Sequence, residues 1–463
     1  MKRKMFVLAV VALLGLHLHA DTLSDWLASI RAEDRSLPTD ISVGEETIRW
    51  YDDGRFVYYG GSNREYPYHP SSFTFPDSGV VATRMGSYCR LELNNYDGEE
   101  IEANGCLAIY AEGNNRISGR GILSDGGVFI GGRGSLTIQS EGDGVFARTG
   151  SIAVAPGVLL MMTVDDKGLN SFSGDLILRG CMATIVAQRG DALCASRDIS
   201  ISDSLICGYS REEGGINAGR NISVLRSALD IFSGSSCIYA GNVMNMSQSY
   251  FALADACEVI PEWRGYPGIT GRETYLDQCY GKVYSRCSAL NAVELLSIGK
   301  GKYYIGSRAG GGRDRYGYEY YAACVSRDTV IIDGGEVQIC APNGTAVFAE
   351  DHFDMKSGSL EIVDSFDVSK GMIADAAMAS ACTGVAFADG WHATMEHFYS
   401  QILTGAIQNA LMSEIFGQAF CGVAMWYGTE YEHRAGTLVC DKAQYGFVTD
   451  KFTLAGGVFK GDA

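Results

Sequence analysis

The sequence predicts an all-β protein: a right-handed parallel β-helix, or solenoid, with coils of about 22–24 residues, an N-terminal capping helix and a late helical element. One phrase recurs, in which an apolar residue is followed two positions later by a small one and then by a short alternating strand. Its apolar positions are spaced by 24, 24, 23 and 22 residues and are Val145, Leu169, Leu193, Ile216 and Ile238. A period near 23 residues in strand-like sequence is typical of coils that stack on one another.

Two further observations support this fold. Two columns of β-forming residues recur once per coil and are separated by two positions, which places both on one face of a strand. They comprise Ile152/Leu176/Ile199/Ile222/Met244 and Val154/Leu178/Ile201/Val224/Met246. The chain also has 58 glycines but only 8 prolines. Glycine suits coil corners that need positive φ, and the scarcity of proline keeps strand donors paired.

The N-terminus predicts a secretory signal peptide over residues 1–20. Basic residues 2–4 precede an apolar run over residues 5–18, and residues 18–20 form an acceptable cleavage site. A membrane anchor is the alternative, but the run is short for a span. No later stretch reaches 18 apolar residues. We therefore expect an exported protein without a membrane span, located extracellularly, at the cell surface or in a periplasm.

Residues 21–90 are predicted to form an N-terminal cap and a β-hairpin. Residues 21–34 predict a short amphipathic helix, whose apolar face holds Leu23, Trp26, Leu27 and Ile30. A helix here would cover the open end of the solenoid, where strand edges are otherwise unpaired. Residues 47–61 predict the hairpin, and residues 91–257 predict the β-helix itself.

The repeat is interrupted over residues 258–322, which we predict to be a tyrosine-rich insertion. This segment holds ten of the 25 tyrosines in the chain. The phrase then resumes, because residues 323–333 repeat the pattern of residues 192–202. Residues 323–463 are therefore predicted to continue the β-helix. Within them, residues 392–417 change to the apolar period of a helix with one apolar face.

Charge and cysteine content limit the partners and the compartment. The net charge is −18, and loss of basic residues 2–4 with the signal peptide would take it to −21. This charge argues against nucleic acid and anionic membranes as partners, and it permits cation binding. The 14 cysteines show no CxxC and no zinc-type spacing. The sequence leaves two alternatives of equal weight for these cysteines: several of them form disulfides, or they are buried thiols.

Residues 91–247 carry a resemblance to a known family. The segments are LELNN (91–95), LAIYAEGNNRISG (107–119) and DGGVFIGGRGSLTIQSEGDGVFA (125–147), followed by the glycine–apolar–x–alanine units. Together they resemble the secreted right-handed β-helix carbohydrate-binding domain family of clostridial and gut bacteria. The resemblance implies binding of a cell-wall polysaccharide, such as a pectic polymer, and calcium at acidic corners. The chain departs from that family in its few paired aspartates, its tyrosine-rich segment and its late helix.

The tyrosine-rich segment supplies the candidate ligand-binding residues. Sugar rings stack their apolar faces on tyrosine and tryptophan, and phenol hydroxyls bind sugar hydroxyls. The candidates occur among glycines and arginines and are Trp263, Tyr266, Tyr316, Tyr318, Tyr320 and Tyr321. The alternate spacing at 316, 318 and 320 would place three rings on one face of a strand. The alternative is that these rings only pack the segment onto the solenoid.

The acidic corner Asp165-Asp166 is the candidate metal site, with calcium as the one cofactor considered. No catalytic constellation stands out. Arg179, Arg197 and Asp198 recur near these aspartates on successive coils, either as solvated corner residues or as parts of a catalytic groove.

We therefore expect a secreted, non-catalytic protein that binds a polysaccharide or other glycan. One alternative is a β-helix polysaccharide lyase or glycoside hydrolase. Another is a structural surface protein or adhesin, for which the tyrosine-rich segment would be a protein interface. The sequence does not specify the oligomeric state.

Overall fold

A computed structural model describes residues 23–30, 35–53, 55–61, 63–66, 70–255, 267–285, 287–307, 312–313, 319–320, 322–341, 345–363, 424–439 and 445–460. The chain divides into two compact units. Unit 1 comprises Met1–Arg211 and Asn217–Gly219, and unit 2 comprises Glu212–Ile216 and Arg220–Ala463. Strand β24 (Ile216–Ala218) falls across this division.

Unit 1 contains one short helix, α1 (residues 23–29), and strands β1 to β23. The strands are β1 Asp40–Val43, β2 Glu46–Trp50, β3 Phe56–Tyr59, β4 Arg64–Tyr66, β5 Ser72–Thr74, β6 Val81–Met85, β7 Tyr88–Asn94, β8 Asp97–Gly98, β9 Ile101–Ala103, β10 Leu107–Glu112, β11 Asn114–Ile117, β12 Ile122–Ser124, β13 Val128–Gly132, β14 Ser135–Ser140, β15 Val145–Ala147, β16 Ile152–Val154, β17 Leu159–Val164, β18 Leu169–Ser171, β19 Leu176–Arg179, β20 Met182–Ala187, β21 Leu193–Ala195, β22 Ile199–Ser202 and β23 Leu205–Ser210.

From β7 to β20, each strand of unit 1 pairs in parallel with the strand three places later. This builds three sheets, in the manner of a parallel β-solenoid. Sheet 1 is β7-β10-β13-β16-β19-β22, sheet 2 is β8-β11-β14-β17-β20-β23, and sheet 3 is β9-β12-β15-β18-β21. The predicted parallel β-helix is thereby confirmed for this unit.

The repeat columns are core positions. Ile152 pairs with Leu176, and Leu176 pairs with Ile199, in consecutive strands of sheet 1. All three side chains are at most 1% exposed. Val145 and Leu169 of the recurring phrase are likewise register partners and are fully buried in sheet 3. The inward columns therefore stack one apolar side chain on the next, which is the main source of stability in a solenoid.

Unit 2 contains strands β25 to β43. They are β25 Ile222–Leu225, β26 Ala228–Ser233, β27 Ile238–Ala240, β28 Val243–Ser247, β29 Tyr250–Asp255, β30 Ile269–Asp277, β31 Cys279–Ser285, β32 Leu290–Ile298, β33 Gly301–Ser307, β34 Gly312–Arg313, β35 Glu319–Tyr320, β36 Ala322–Ser326, β37 Thr329–Cys340, β38 Thr345–Ala349, β39 His352–Ile362, β40 Ala424–His433, β41 Thr437–Val439, β42 Tyr445–Leu454 and β43 Val458–Lys460.

These strands also build three parallel sheets, and several long strands turn a corner and contribute to two of them. Sheet 4 is β25-β28-β30-β32-β37-β39-β40-β42, sheet 5 is β26-β29-β31-β33-β37-β39-β41-β43, and sheet 6 is β27-β30-β32-β36-β38-β40-β42. The repeat columns continue here, because Ile222 pairs with Met244 and Val224 with Met246.

Helix α1 lies in a different place from the one predicted. Trp26 and Ile30 are buried against Phe129 and Ala153, which point outward from sheet 1. The indole Nε1 of Trp26 donates a hydrogen bond to the Ser151 carbonyl oxygen at 2.9 Å. The helix therefore lies on the flank of sheet 1 and not across the open end of the solenoid.

Antiparallel strands occupy the N-terminal sheet edges instead. Strand β6 pairs with β7 of sheet 1, and β1 pairs with β9 of sheet 3, both antiparallel. Strands β1 to β4 form an antiparallel meander, which includes the hairpin predicted over residues 47–61. An edge that already has a partner offers no free template for another chain.

The predicted insertion is not separate from the solenoid over residues 267–307. This part forms β30 to β33, which pair in parallel within sheets 4, 5 and 6. The inward positions remain apolar, with Leu276, Val283 and Ile305 about 1% exposed. Tyrosines at outward positions had hidden this pattern in the sequence. Among the described residues of 258–322, β34 and β35 alone depart from it, as a separate antiparallel pair.

Some expectations are tested only in part. The late helix predicted at 392–417 lies outside the described residues. The described C-terminal strands β40 to β43 pair in parallel, as expected for a continued β-helix.

Among the described residues, no helix has the length and apolar character needed to cross a membrane. Cys89, Cys181, Cys237 and Cys324 are buried, unbridged thiols, which favours the small-core-residue alternative at these positions.

Candidate functional site

Tyrosine and lysine side chains line the outward side of sheet 5. In the segment Tyr280-Gly-Lys-Val-Tyr284 of β31, residues 280, 282 and 284 are half-exposed and alternate with buried residues. In β33, Lys302 is exposed and Tyr304 half-exposed, on either side of the buried Tyr303. The strand period of two residues explains this division. We call Tyr280, Lys282, Tyr284, Lys302 and Tyr304 the tyrosine–lysine face.

The rings of this face form a short ladder. Tyr280 is the register partner of Tyr250 in β29, and their rings are stacked, with centroids 5.8 Å apart and an interplanar angle of 6°. The Tyr280 and Tyr304 centroids are 5.9 Å apart, and these rings are inclined by 56°. Aromatic pairs at such separations attract one another beyond their area burial. The ladder therefore holds its members in fixed positions.

Two ammonium groups lie over these rings. Lys282 Nζ is 5.6 Å from the Tyr280 centroid and 5.7 Å from the Tyr304 centroid. Lys302 Nζ is 5.6 Å from the Tyr304 centroid. These are cation–π distances. A hydrogen bond with Tyr304 raises the pKa of Lys302, so this ammonium remains charged at neutral pH.

A glycine inside the sheet keeps β31 close to its neighbour. A Cβ atom at Gly281 would lie 2.0 Å from the ring of Phe251, which is its register partner in β29. Phe251 fills the interior at this level and is 1% exposed. The inward Phe251–Gly281 pair and the outward Tyr250–Tyr280 pair therefore come from the same two strands.

This arrangement suits binding to an extended polar polymer. Parallel strands repeat at about 4.8 Å, so the neighbouring strands β31 and β33 present phenol, ring and ammonium groups side by side. Rings contact the apolar C–H faces of sugars, while phenols and ammoniums bind hydroxyl or carboxylate oxygens. Because Tyr250 is only 4% exposed and stacks on Tyr280, the half-exposed rings and hydroxyls of Tyr280 and Tyr304 are the aromatic parts available to a ligand.

A second cluster lies on the outward side of sheet 4. His352 and Asp354 belong to β39, and Glu432 of β40 is the register partner of Asp354. Their potential ligand atoms all lie within 4.8 Å of one another, the one such group of three or more histidine, cysteine or acidic residues in the described part of the chain. His352 and Glu432 are half-buried, whereas Asp354 is 4% exposed.

Arg434 adjoins this cluster. Its Nε lies 3.4 Å from Asp354 Oδ1, and its Nη2 donates to Glu432 Oε2 at 3.0 Å. Burial raises the pKa of Asp354, and the positive charge of Arg434 partly offsets that shift. Asp354 Oδ1 is buried and accepts no hydrogen bond of acceptable geometry. The arrangement combines one imidazole, two carboxylates and one guanidinium.

Five of the six predicted ligand-binding residues lie outside the described residues: Trp263, Tyr266, Tyr316, Tyr318 and Tyr321. The backbone of Tyr320 belongs to β35 and pairs with Gly312. The predicted alignment of three rings on one strand face therefore stays a prediction.

The predicted calcium corner is solvent-exposed. Asp165 and Asp166 both follow β17 and are exposed, and Asp165 Oδ2 lies 3.6 Å from Arg189 Nη2. Calcium needs six to eight oxygen ligands, and these two carboxylates do not belong to the ligand cluster found among the described residues. A calcium ion at this corner stays a prediction.

Two arginines from the same stretch are engaged in ion pairs. Arg179 Nη2 lies 2.7 Å from Asp25 Oδ2 of the N-terminal helix. Arg197 Nε lies 3.2 Å from Asp175 Oδ1. These contacts favour the interpretation of these arginines as surface residues over a role in a catalytic groove.

A signal for the tyrosine–lysine face is present in the sequence, but the sequence-based prediction named other tyrosines of the same segment. Tyr280, Tyr284 and Tyr304 belong to the tyrosine-rich segment, and the alternation in residues 279–285 is visible in the sequence. The prediction preferred residues 316–321 because they looked loop-like. No sequence pattern pointed to the cluster of His352, Asp354 and Glu432. The 77 residues 355–431 lie between Asp354 and Glu432 in the chain, so only the fold brings them together.

No protein-family model, curated protein or solved structure matches the chain. The resemblance of residues 91–247 to a carbohydrate-binding family therefore stays a prediction. Two surfaces of the described residues remain as candidate functional sites: the tyrosine–lysine face and the cluster of His352, Asp354 and Glu432.

Proposed function

We propose that the protein is a secreted, non-catalytic, polysaccharide-binding protein. The observation that carries this proposal is the tyrosine–lysine face, where rings, phenols and two ammonium groups line the outward side of adjacent strands. A right-handed winding of the coils belongs to the same proposal, because parallel strands joined by crossovers favour that hand.

The local charge distinguishes this face from the chain as a whole. The chain carries a net charge of −18, yet Lys282 and Lys302 lie together on sheet 5. The exposed Glu336 is the register partner of Lys302 and offsets one of these charges. The remaining positive charge at Lys282 favours polar or anionic sugars without a bridging cation. The sequence resemblance implies calcium at acidic corners. A calcium ion at Asp165-Asp166 would contribute to polysaccharide binding separately from the tyrosine–lysine face.

The test is sedimentation of the full chain with insoluble plant and microbial polysaccharides, with and without a chelator. We expect retention by at least one polysaccharide. A variant combining Tyr280→Ala, Lys282→Ala and Tyr304→Ala should lose at least tenfold in affinity, because it removes two rings and one ammonium. The matched control combines Met182→Ala and Thr184→Ala, at half-buried outward positions of β20, and should bind normally.

Two further variants locate the site. Loss of retention in Tyr318→Ala with Tyr320→Ala, but not in the triple variant, would move the binding site to residues 316–321. Loss in Asp166→Ala alone, together with sensitivity to the chelator, would move it to the acidic corner. No retention on any polysaccharide would refute the proposal.

The enzyme alternative is tested on the same polymers. Incubation followed by assays for new reducing ends and for unsaturated products should show no turnover. Turnover would replace binding by lyase or hydrolase activity as the function.

A further inference from the structure

We propose that His352, Asp354 and Glu432 bind a divalent transition-metal ion of the zinc class. This site is separate from the tyrosine–lysine face, because it lies on sheet 4 and not on sheet 5 of unit 2. It also differs in chemistry from the calcium corner predicted at Asp165-Asp166.

The strand geometry brings the three donors together. His352 and Asp354 are two residues apart in β39 and so point to the same side. Glu432 lies beside Asp354 on the next strand, in register. The intervening Phe353 is fully buried on the opposite side. The donors are therefore fixed by the sheet and not by a loop.

The separations suit a single ion. The three donor atoms lie within 4.8 Å of one another. Donors bound to the same zinc ion are about 3–4 Å apart, given metal–ligand distances near 2.1 Å. Small side-chain rotations would close the difference without moving the strands.

The burial and hydrogen bonding of Asp354 also point to a metal ion. Its side chain is 4% exposed, and its Oδ1 accepts no hydrogen bond of acceptable geometry. A buried carboxylate oxygen without a hydrogen bond is costly, so such atoms are normally paired or coordinate a metal. Arg434 supplies a charge at 3.4 Å but not an aligned donor. A metal ion between Asp354, His352 and Glu432 would satisfy this oxygen.

Arg434 fits the role of a positioning residue. Its Nη2 donates to Glu432 Oε2 at 3.0 Å, so it can orient this carboxylate and leave one oxygen for an ion. Groups that hydrogen-bond a ligating carboxylate typically change metal affinity by about 10–100-fold. With a neutral His352, two carboxylates and one guanidinium leave a net charge of −1, which still favours a divalent cation.

The donor set selects the class of ion. One imidazole with two carboxylates suits zinc, manganese or iron, whereas calcium and magnesium prefer oxygen ligands alone. Three protein ligands also leave a coordination position for a solvent molecule or an added ligand.

The experiment is a titration of the metal-free full chain with zinc chloride, followed by calorimetry, and with cobalt(II), followed by its visible absorption. We expect one equivalent that is absent from His352→Ala and from Glu432→Gln, together with the cobalt absorption of a nitrogen–oxygen site. The matched control, Asp351→Asn, changes an exposed neighbour of His352 and should keep this equivalent. Circular dichroism of each metal-free variant checks that the fold is retained.

The outcomes are decisive in both directions. A stoichiometry unchanged in both His352→Ala and Glu432→Gln would overturn the site, since any zinc would then be bound elsewhere. Displacement of zinc by an equal concentration of calcium would overturn the assigned class of ion. Arg434→Gln should weaken zinc binding by about 10–100-fold without changing the stoichiometry. Unchanged affinity in that variant would remove Arg434 from the site.

Discussion

The coils of β13 to β23 in unit 1 and the coils of β30 to β33 in unit 2 are alike inside and unlike outside. Both stack buried apolar residues inward, such as Leu176 in one and Ile305 in the other. Outward, sheet 1 presents small and aromatic residues to helix α1, whereas sheet 5 presents tyrosines and lysines. The inward positions specify the coil and the outward positions are available for other roles, because only the inward side chains contact the next coil within the core.

The flank of sheet 1 shows what happens when outward positions become apolar. Phe129 and Ala153 point outward yet are fully buried, because Trp26 and Ile30 cover them. Gly127 is needed there, since a Cβ atom at this position would lie 2.6 Å from Ile30 Cδ1. An apolar outward column therefore serves internal packing, and a polar aromatic one remains partly exposed to solvent.

Replacement of Trp26 should have the largest effect. Trp26→Ala removes a fully buried ring and its hydrogen bond to Ser151, and we expect a loss of about 3–5 kcal/mol in the free energy of unfolding. The control Asp25→Ala breaks only the surface ion pair with Arg179 and should cost about 1 kcal/mol or less. Denaturant unfolding measures both. Equal costs would mean that the helix is not docked on sheet 1.

Adjacent residues of β33 should differ strongly in their effect. Ile305→Ala empties a position that is 1% exposed and should cost about 2–5 kcal/mol. Tyr304→Ala removes a half-exposed ring and its contact with Tyr280, and should cost about 1 kcal/mol. Thermal and denaturant unfolding of both variants test the distinction between inward and outward positions. Similar losses would show that the tyrosine–lysine face is part of the packing.

A glycine next to that face should be intolerant of a side chain. Gly301 begins β33 with φ of +132°, and a Cβ atom there would lie 2.1 Å from the Cys279 carbonyl oxygen. Gly301→Ala should therefore cost about 1–3 kcal/mol. Gly142→Ala is the control, because nothing lies within 4 Å of its Cβ position. Unfolding midpoints that fall equally for both would contradict the close approach of β31 and β33.

The smallest expected effect is a pH dependence that originates at Asp230. This residue is on the outward side of β26, is 5% exposed and has an Oδ2 without a hydrogen-bond partner. Burial raises the pKa of Asp230 well above its ordinary value. Below about pH 4, both the folded and the unfolded chain hold this proton. As the pH rises, the unfolded chain loses the proton first, so stability falls until the folded-state pKa is passed.

Asp230→Asn should flatten this decline, as measured by unfolding midpoints between pH 4 and neutrality. Asp97→Asn, at an exposed position in unit 1, should leave the pH profile of the parent protein unchanged. An identical pH profile in Asp230→Asn would show that Asp230 is ionised or solvated in the folded state.

The predictions from the sequence succeeded where the chemistry was local and periodic. The columns of Ile152 and Val154 revealed the solenoid, because a two-residue strand period repeated every coil leaves few alternatives. The amphipathic helix was found from Trp26 and Ile30, but its position was not. Helix periodicity reports that an apolar face will be buried and does not report which surface buries it.

The sequence by itself determined the coil length, the inward core and the presence of the N-terminal helix, because these follow from residue spacing. Only the tertiary structure decided that Tyr280 and Tyr304 share one face of a sheet. The tertiary structure alone also shows that Glu432 lies beside Asp354 and His352. Stacking one coil on another converts a large separation in sequence into a few ångströms of space, and the length of the intervening segments sets which residues meet.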